Sequence, residues 1–200
     1  MNLSAPAILI ASRPHGETAA IARLLTEEHG LVAGYVAGGR GRQLRPVVIP
    51  GNLVALELRA RSASQLPFAK IELIESRGPW LTEPLPAAAI QWSCALTATA
   101  LPERNPYPGL YQALTALLDA ICNAPSARGW LAAMNLYEAM LLRELGYGGA
   151  KPDLEAPFAD QFQTFRHMHK PLGRYLLADA RADVMAARVA LGERLGKMNG

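Results

Sequence analysis

The stretch Gly38-Gly39-Arg40-Gly41-Arg42-Gln43-Leu44-Arg45 places three arginines within six residues and spaces them with glycine. Guanidinium forks match phosphate oxygens two at a time, and glycine lets backbone N–H groups come close to an anion. Such a loop suits a nucleic-acid backbone. It also suits an ordinary solvated hairpin tip, the usual role of a charge cluster. The Gly-x4-Gly-Lys-Ser/Thr spacing of an ATPase phosphate loop is absent. A second polar turn, Arg13-Pro14-His15-Gly16-Glu17, adds Arg13 to the cationic set and offers His15 as a ring to stack on a base. Glu17 is expected to pair with an arginine.

Other reactive residue types point to no reaction. His167 and His169 flank Met168 near Asp160, but an i, i+2 pair diverges on a helix and a metal needs more ligands, so no metal is expected. Cys94 and Cys122 belong to no CxxC and fall on apolar helical stripes, where a free cysteine is usually a small core residue. Ser76 and both cysteines lack a nearby histidine, and no nucleophile elbow occurs, so no enzyme is expected. Trp130 and Tyr137 lie on one helical stripe and read as core. Their neighbours Arg128 and Arg143 leave open a peptide groove with a cationic rim.

Charge separates along the chain. The formal net charge is +3, yet residues 1–80 carry nine Lys+Arg against six Asp+Glu, so the whole surplus is N-terminal. Sixteen of the twenty basic residues are arginine. Half of the 200 residues are hydrophobic, enough to bury a core and to exclude a disordered chain. No apolar run reaches membrane-spanning length, and the start lacks the basic region and long apolar stretch of a secretory signal. A reducing cytoplasm is the expected compartment.

The elements that must hold these residues divide near residue 80, where Gly78, Pro79, Pro84 and Pro86 interrupt regular structure. Before that point, short strand-like segments dominate: 7–10, 31–36, 47–49, 53–59 and 69–76. The last two alternate well, and Gly/Pro turns separate the rest. Together they predict a small barrel. Residues 18–28 fit a helix through Ile21, Leu24 and Leu25, or a strand and turn. Afterwards the period becomes helical. Residues 87–101 are alanine-rich; Leu110, Leu114, Leu117, Leu118 and Ile121 make one stripe; Trp130, Met134, Tyr137, Leu141 and Leu145 make the next. Ser126 could cap that helix and Gly146 could end it in the left-handed conformation. Leu172, Leu176, Val184, Leu191 and Leu195 suggest one or two final helices.

At this point the order of motifs resembles the bacterial recombination mediator family RecO. The opening strand and turn, Ala7-Ile8-Leu9-Ile10-Ala11-Ser12-Arg13-Pro14-His15-Gly16-Glu17-Thr18, followed by Leu24-Leu25-Thr26-Glu27-Glu28-His29-Gly30, is similar to the family's strand, "SRPxxE(S/T)" and "LLTxExG". Residues 36–40 resemble its glycine-basic loop. Pro50-Gly51-Asn52-Leu53-Val54 and Lys70-Ile71-Glu72-Leu73-Ile74-Glu75-Ser76 resemble its fourth and fifth strand regions. Leu136-Tyr137-Glu138-Ala139-Met140-Leu141-Leu142-Arg143-Glu144-Leu145-Gly146-Tyr147-Gly148 resembles its "FExxLLxxLGYG" helix end. The match runs in order through residues 5–148, with a weaker echo in 165–196.

The resemblance implies an α+β chain: an all-β OB-fold barrel in residues 1–80, then an all-α domain in residues 81–200. It implies a cytoplasmic, nucleoid-associated accessory protein that binds single- and double-stranded DNA and anneals complementary strands. The family associates with RecR, contacts the acidic, Phe-ended tail of single-strand binding protein, and helps load RecA onto coated strands. The DNA-binding expectation falls on Arg13, Arg40, Arg42, Arg45, Arg59, Arg61 and Lys70. The tail-binding expectation falls on Arg128, Tyr137, Leu141 and Arg143. With few aromatics in the barrel, mainly Tyr35 and Phe68, charge is expected to dominate binding.

Three departures qualify the match. Many relatives carry a four-cysteine zinc module after the LGYG turn, whereas residues 151–158 are short and cysteine-free, so a loop and no zinc or other cofactor is expected. Ala37 replaces the lysine that usually precedes the loop, and the loop is shorter, which lowers the expected DNA affinity. Asn135 and Leu136 stand where relatives often place an arginine at the tail site. Two rival readings remain: a scaffold that binds partners but no DNA, and an OB-fold module that binds RNA through its 2′-OH.

Overall fold

The computed structural model describes residues 2–60, 65–178, 180 and 183–198. Five strands, β1 (Asn2–His15), β2 (Ala19–Thr26), β3 (Gly30–Val36), β4 (Leu53–Arg59) and β5 (Phe68–Glu75), close into a barrel in the order β1-β2-β3-β5-β4. This is the OB-fold arrangement. All pairings are antiparallel except β3 with β5, which meet in parallel at Tyr35 and Phe68. Strand β1 pairs with β4 through residues 2–8 and with β2 through residues 7–15, and a register shift between Leu9 and Ala11 lets it bend between the two.

Alternation decides which residues face inward. Leu9, Ala22, Leu24, Val32, Val36, Val54, Leu56, Leu58, Ala69 and Ile71 fill the interior. Gly34 also faces inward, where β3 approaches β5. A Cβ there would lie 2.6 Å from the Ala69 Cβ and 2.8 Å from Leu58 Cδ2, so barrel closure requires glycine.

One open expectation resolves here and another changes. Residues 18–28 resolve as a strand and turn, and Ile21, Leu24 and Leu25 are all buried because both faces of β2 are covered. Residues 47–49 are no strand. The Val47 and Val48 N–H groups both donate to the Leu44 carbonyl at 2.9 Å, and Leu44, Val47 and Val48 pack on the barrel core as a plug.

The chain separates into two compact units, one of Met1–Pro79 with Leu101–Tyr111 and one of Trp80–Ala100 with Gln112–Gly200. A single cut near residue 80 therefore omits the return of Leu101–Tyr111 to the barrel. There Arg104 N–H donates to the Leu31 carbonyl at 2.8 Å, and Glu103 pairs with Arg23 at 3.5 Å.

The second unit contains α1 (Pro84–Ala100), most of α2 (Pro108–Asn123), α3 (Leu131–Glu144), α4 (Phe158–Pro171) and α5 (Met185–Gly196). The predicted stripes are its core: Leu114, Leu117, Leu118 and Ile121 on α2, and Met134, Tyr137 and Leu141 on α3, with Trp130 just before it, are buried. Ser126 does not cap α3. It precedes a short 3₁₀ turn, Ala127–Gly129, and makes no side-chain capping bond. Gly146 does end α3, at φ +88°, with Gly146 N–H on the Arg143 carbonyl and Tyr147 N–H on the Leu142 carbonyl.

Candidate nucleic-acid interface

The arginine loop follows β3 as a series of turns, and its fold decides what it can offer an anion. Gly39 N–H donates to Val36, Arg40 N–H to Thr18, Gly41 N–H to Gly38 and Arg45 N–H to Gly41, all to carbonyl oxygens. These amides are taken up inside the protein. The Gly39 and Gly41 amides are thus spent on a tight internal fold, and the arginine side chains are the main groups the loop offers an anion.

Those side chains converge. Arg13 and Pro14 from β1, Ala20 from β2, and Gly39, Arg40, Arg45 and Val48 from the loop line one open cleft of about 380 Å³. Arg40 is held there by Nη1, which donates to the Gly16 and Glu17 carbonyls at 3.2 and 3.1 Å. Glu17 thus meets Arg40 through its carbonyl. Arg13, Arg40, Arg42 and Arg45 are exposed, and no carboxylate among the described residues lies within ion-pair distance of them. Four cations crowded without counter-charges attract a polyanion.

The far side of the loop is pinned by a residue that sequence reasoning missed. Asn52 is fully buried. Its Nδ2 donates to the Pro46 and Val47 carbonyls at 3.0 and 3.1 Å, and its Oδ1 accepts from Arg77 N–H at 2.8 Å. Its position in a Pro-Gly-Asn turn was the available signal. Asn52→Ala is expected to cost about 2–3 kcal/mol, because buried carbonyls and an N–H lose their partner together. Urea unfolding of the variant measures this; a midpoint equal to wild type would refute the anchoring role.

The remaining predicted cations are placed differently. Arg59 on β4 lies 3.2 Å from Glu57, and Lys70 on β5 lies 2.8 Å from Glu72. The hydrogen bond to Glu72, and its charge, raise the Lys70 pKa and hold it protonated, while the same contact lowers that of Glu72. These two cations are therefore locally compensated. Arg61 lies outside the described residues. Aromatic rings also gather on the barrel: His15 meets Tyr35 edge-on at 5.7 Å, and Tyr35 meets Phe68 at 5.8 Å.

The sequence matches the family model described as Recombination protein O N terminal over residues 1–77, and the corresponding C-terminal model over residues 83–177. Similar curated proteins are named DNA repair protein RecO. The one from Rhodospirillum centenum is 44% identical over 149 residues, covering 74% of this chain and 58% of its own length. The one from Phenylobacterium zucineum is 41% identical, covering 74% and 60%. The one from Caulobacter vibrioides is 40% identical over 143 residues, covering 71% and 58%. The chain belongs to the RecO family of DNA repair proteins. It spans about three-fifths of the length of these relatives.

The family's tail-binding expectation meets a different geometry. Tyr137 and Leu141 have no exposed surface, and the Tyr137 hydroxyl shares a 2.5 Å hydrogen bond with Thr97 Oγ1. Burial raises the Tyr137 pKa, so the phenol keeps its proton. Both residues are core and cannot line an open groove. Arg128 and Arg143 are exposed, but one precedes α3 and the other lies in its last turn, about 20 Å apart along the axis. Arg128 covers the Phe158 ring at 4.8 Å, and Arg143 stands 3.9 Å from Glu144. Residues 151–157, where the sequence led us to expect a loop, form one. Among the described residues no cluster of His, Cys, Asp and Glu could hold a metal ion, and no helix is long and apolar enough to cross a membrane.

Proposed function

We propose that this chain is a non-catalytic recombination mediator acting at the nucleoid. It holds single- and double-stranded DNA by charge, anneals complementary strands, and with RecR helps load RecA onto strands coated by single-strand binding protein. One observation carries the DNA-binding part: Arg13, Arg40 and Arg45 converge in a cleft on an OB barrel without ion-paired carboxylates. Arg42, exposed on the same loop, extends it. RecR and the tail of single-strand binding protein enter through family membership alone, and the tail would reach only Arg128 or Arg143 on the α3 side.

Fluorescence anisotropy with a labelled single strand and a matched duplex, across a salt series, tests the reading. Three to four phosphate contacts give a slope of log K against log salt of about −2 to −3 for a single strand and about −3 to −4 for a duplex. Annealing of complementary strands in the same tubes should accelerate. Absence of binding at low salt would overturn this reading in favour of a scaffold, and a RecR pull-down would then be the next measurement.

A further inference from the structure

Barrel closure leaves part of one strand edge open. Strand β3 meets β5 at a single residue pair, Tyr35 with Phe68. Along a strand the N–H and C=O of one residue point to the same side, and the side alternates with each residue. Tyr35 N–H donates to the Pro67 carbonyl at 2.8 Å, so the odd-numbered residues of β5 point their backbone groups toward the β3 side. Those of Ile71 and Leu73 lie past the end of β3 at Val36, and no backbone hydrogen bond among the described residues reaches them from that side. An open strand edge recruits another strand unless its side chains prevent it.

The side chains of this edge run in a self-complementary order. Phe68 and Ile74 are 50% and 53% exposed, and Lys70 and Glu72 stand between them on the outer face, 2.8 Å apart. A lone lysine is a common guard against edge pairing. Here a glutamate two residues further on reverses its effect. When two copies of β5 lie antiparallel about a two-fold axis at Ile71, Lys70 of each copy stands opposite Glu72 of the other, and Phe68 stands opposite Ile74. Ile71 then faces its own counterpart and exchanges two N–H···O bonds with it, as its outward backbone groups require. The charged and apolar pairs fall at the closely spaced, non-hydrogen-bonded positions, where opposed side chains interact most.

We propose that this chain self-associates through β5, a second copy adding its own β5 as an antiparallel strand across a two-fold axis. Such an interface is isologous, so one strand supplies both halves. The inference does not rest on the nucleic-acid reading above. A single strand edge makes a small interface with exposed charges, so the dimer is weak and loosens with salt.

Sedimentation velocity of the full chain at low salt, from about 5 to about 500 µM, is the test. The weight-average mass should rise with concentration toward twice that of one chain. Glu72→Lys and Lys70→Glu each set four like charges around the axis, and each should weaken association at least about tenfold. A one-to-one mixture of these two variants opposes unlike charges again and should re-form dimers, as should the chain carrying both changes. A wild-type chain that stays monomeric throughout overturns the proposal. Association that persists in both single variants overturns it too, and assigns the contact to another face. So does a mixture in which dimers fail to return, because only cross-strand pairing of these two positions makes the two defects complementary.

Discussion

Arg188→Met is expected to lower the stability of the helical unit by about 3–5 kcal/mol, because it strands a buried carboxylate. Arg188 on α5 is 2% exposed and Glu138 on α3 is wholly buried. Arg188 Nε and Nη2 donate to the two Glu138 oxygens at 3.0 and 2.8 Å, and Trp92 Nε1 on α1 donates to one of them at 2.8 Å. Arg188 also donates to the Phe165 carbonyl of α4 and covers the Phe165 ring at 3.8 Å. One guanidinium thus links four helices, and removing it leaves the buried Glu138 carboxylate without its cation.

Thermal unfolding followed at 222 nm should show Arg188→Met melting at least 12 °C lower, at about 4 °C per kcal/mol. The pair Glu138→Leu with Arg188→Met should recover more than half of the loss, because an apolar replacement of the whole pair removes the unpaired charge. A single variant melting within a degree or two of wild type would refute the network's role. So would a double variant no better than the single.

The residues of this network show why part of the molecule was unreadable beforehand. Periodicity found the apolar stripes of α2 and α3, because burial repeats every 3.6 residues within one helix. It found β4 and β5 through their alternation. Gly146 announced the end of α3, because a left-handed residue favours glycine. Glu138 and Arg188 lie fifty positions apart and interrupt apolar patterns, so each reads alone as a surface charge. Only the folded helices bring them within hydrogen-bond reach.

The candidate interface divides in the same way. Convergence of Arg40 and Arg45 with Arg13 depends on turns across 37–51, which no periodicity encodes. Compensation of Arg59 by Glu57 and Lys70 by Glu72 was legible in principle. Residues i and i+2 share a strand face, so each pair had to be neighbours once β4 and β5 were assigned. The loop's amides could not be read either: glycine spacing suits both anion capture and a tight internal turn, and here internal carbonyls took those of Gly39, Arg40, Gly41 and Arg45.

That division sets the second large effect. Replacing Arg13, Arg40 and Arg45 together with glutamine is expected to weaken single-strand binding on the order of a hundredfold at moderate salt, since each loses a charge-assisted contact. The slope of log K against log salt should become shallower by about 2, at roughly 0.7 per phosphate lost. Lys70→Gln should change affinity less than about twofold, because Glu72 and Glu57 already offset that charge. All four side chains are exposed, so the melting profile should stay within a degree or two of wild type and separate a binding defect from unfolding. The decisive comparison is between the two variants rather than with wild type. If Lys70→Gln costs as much as the triple replacement, the polyanion follows the β4–β5 face and the cleft is not its site. If the triple replacement alone flattens the salt slope, the uncompensated arginines carry the backbone, and affinity tracks the absence of nearby carboxylates rather than the number of basic residues.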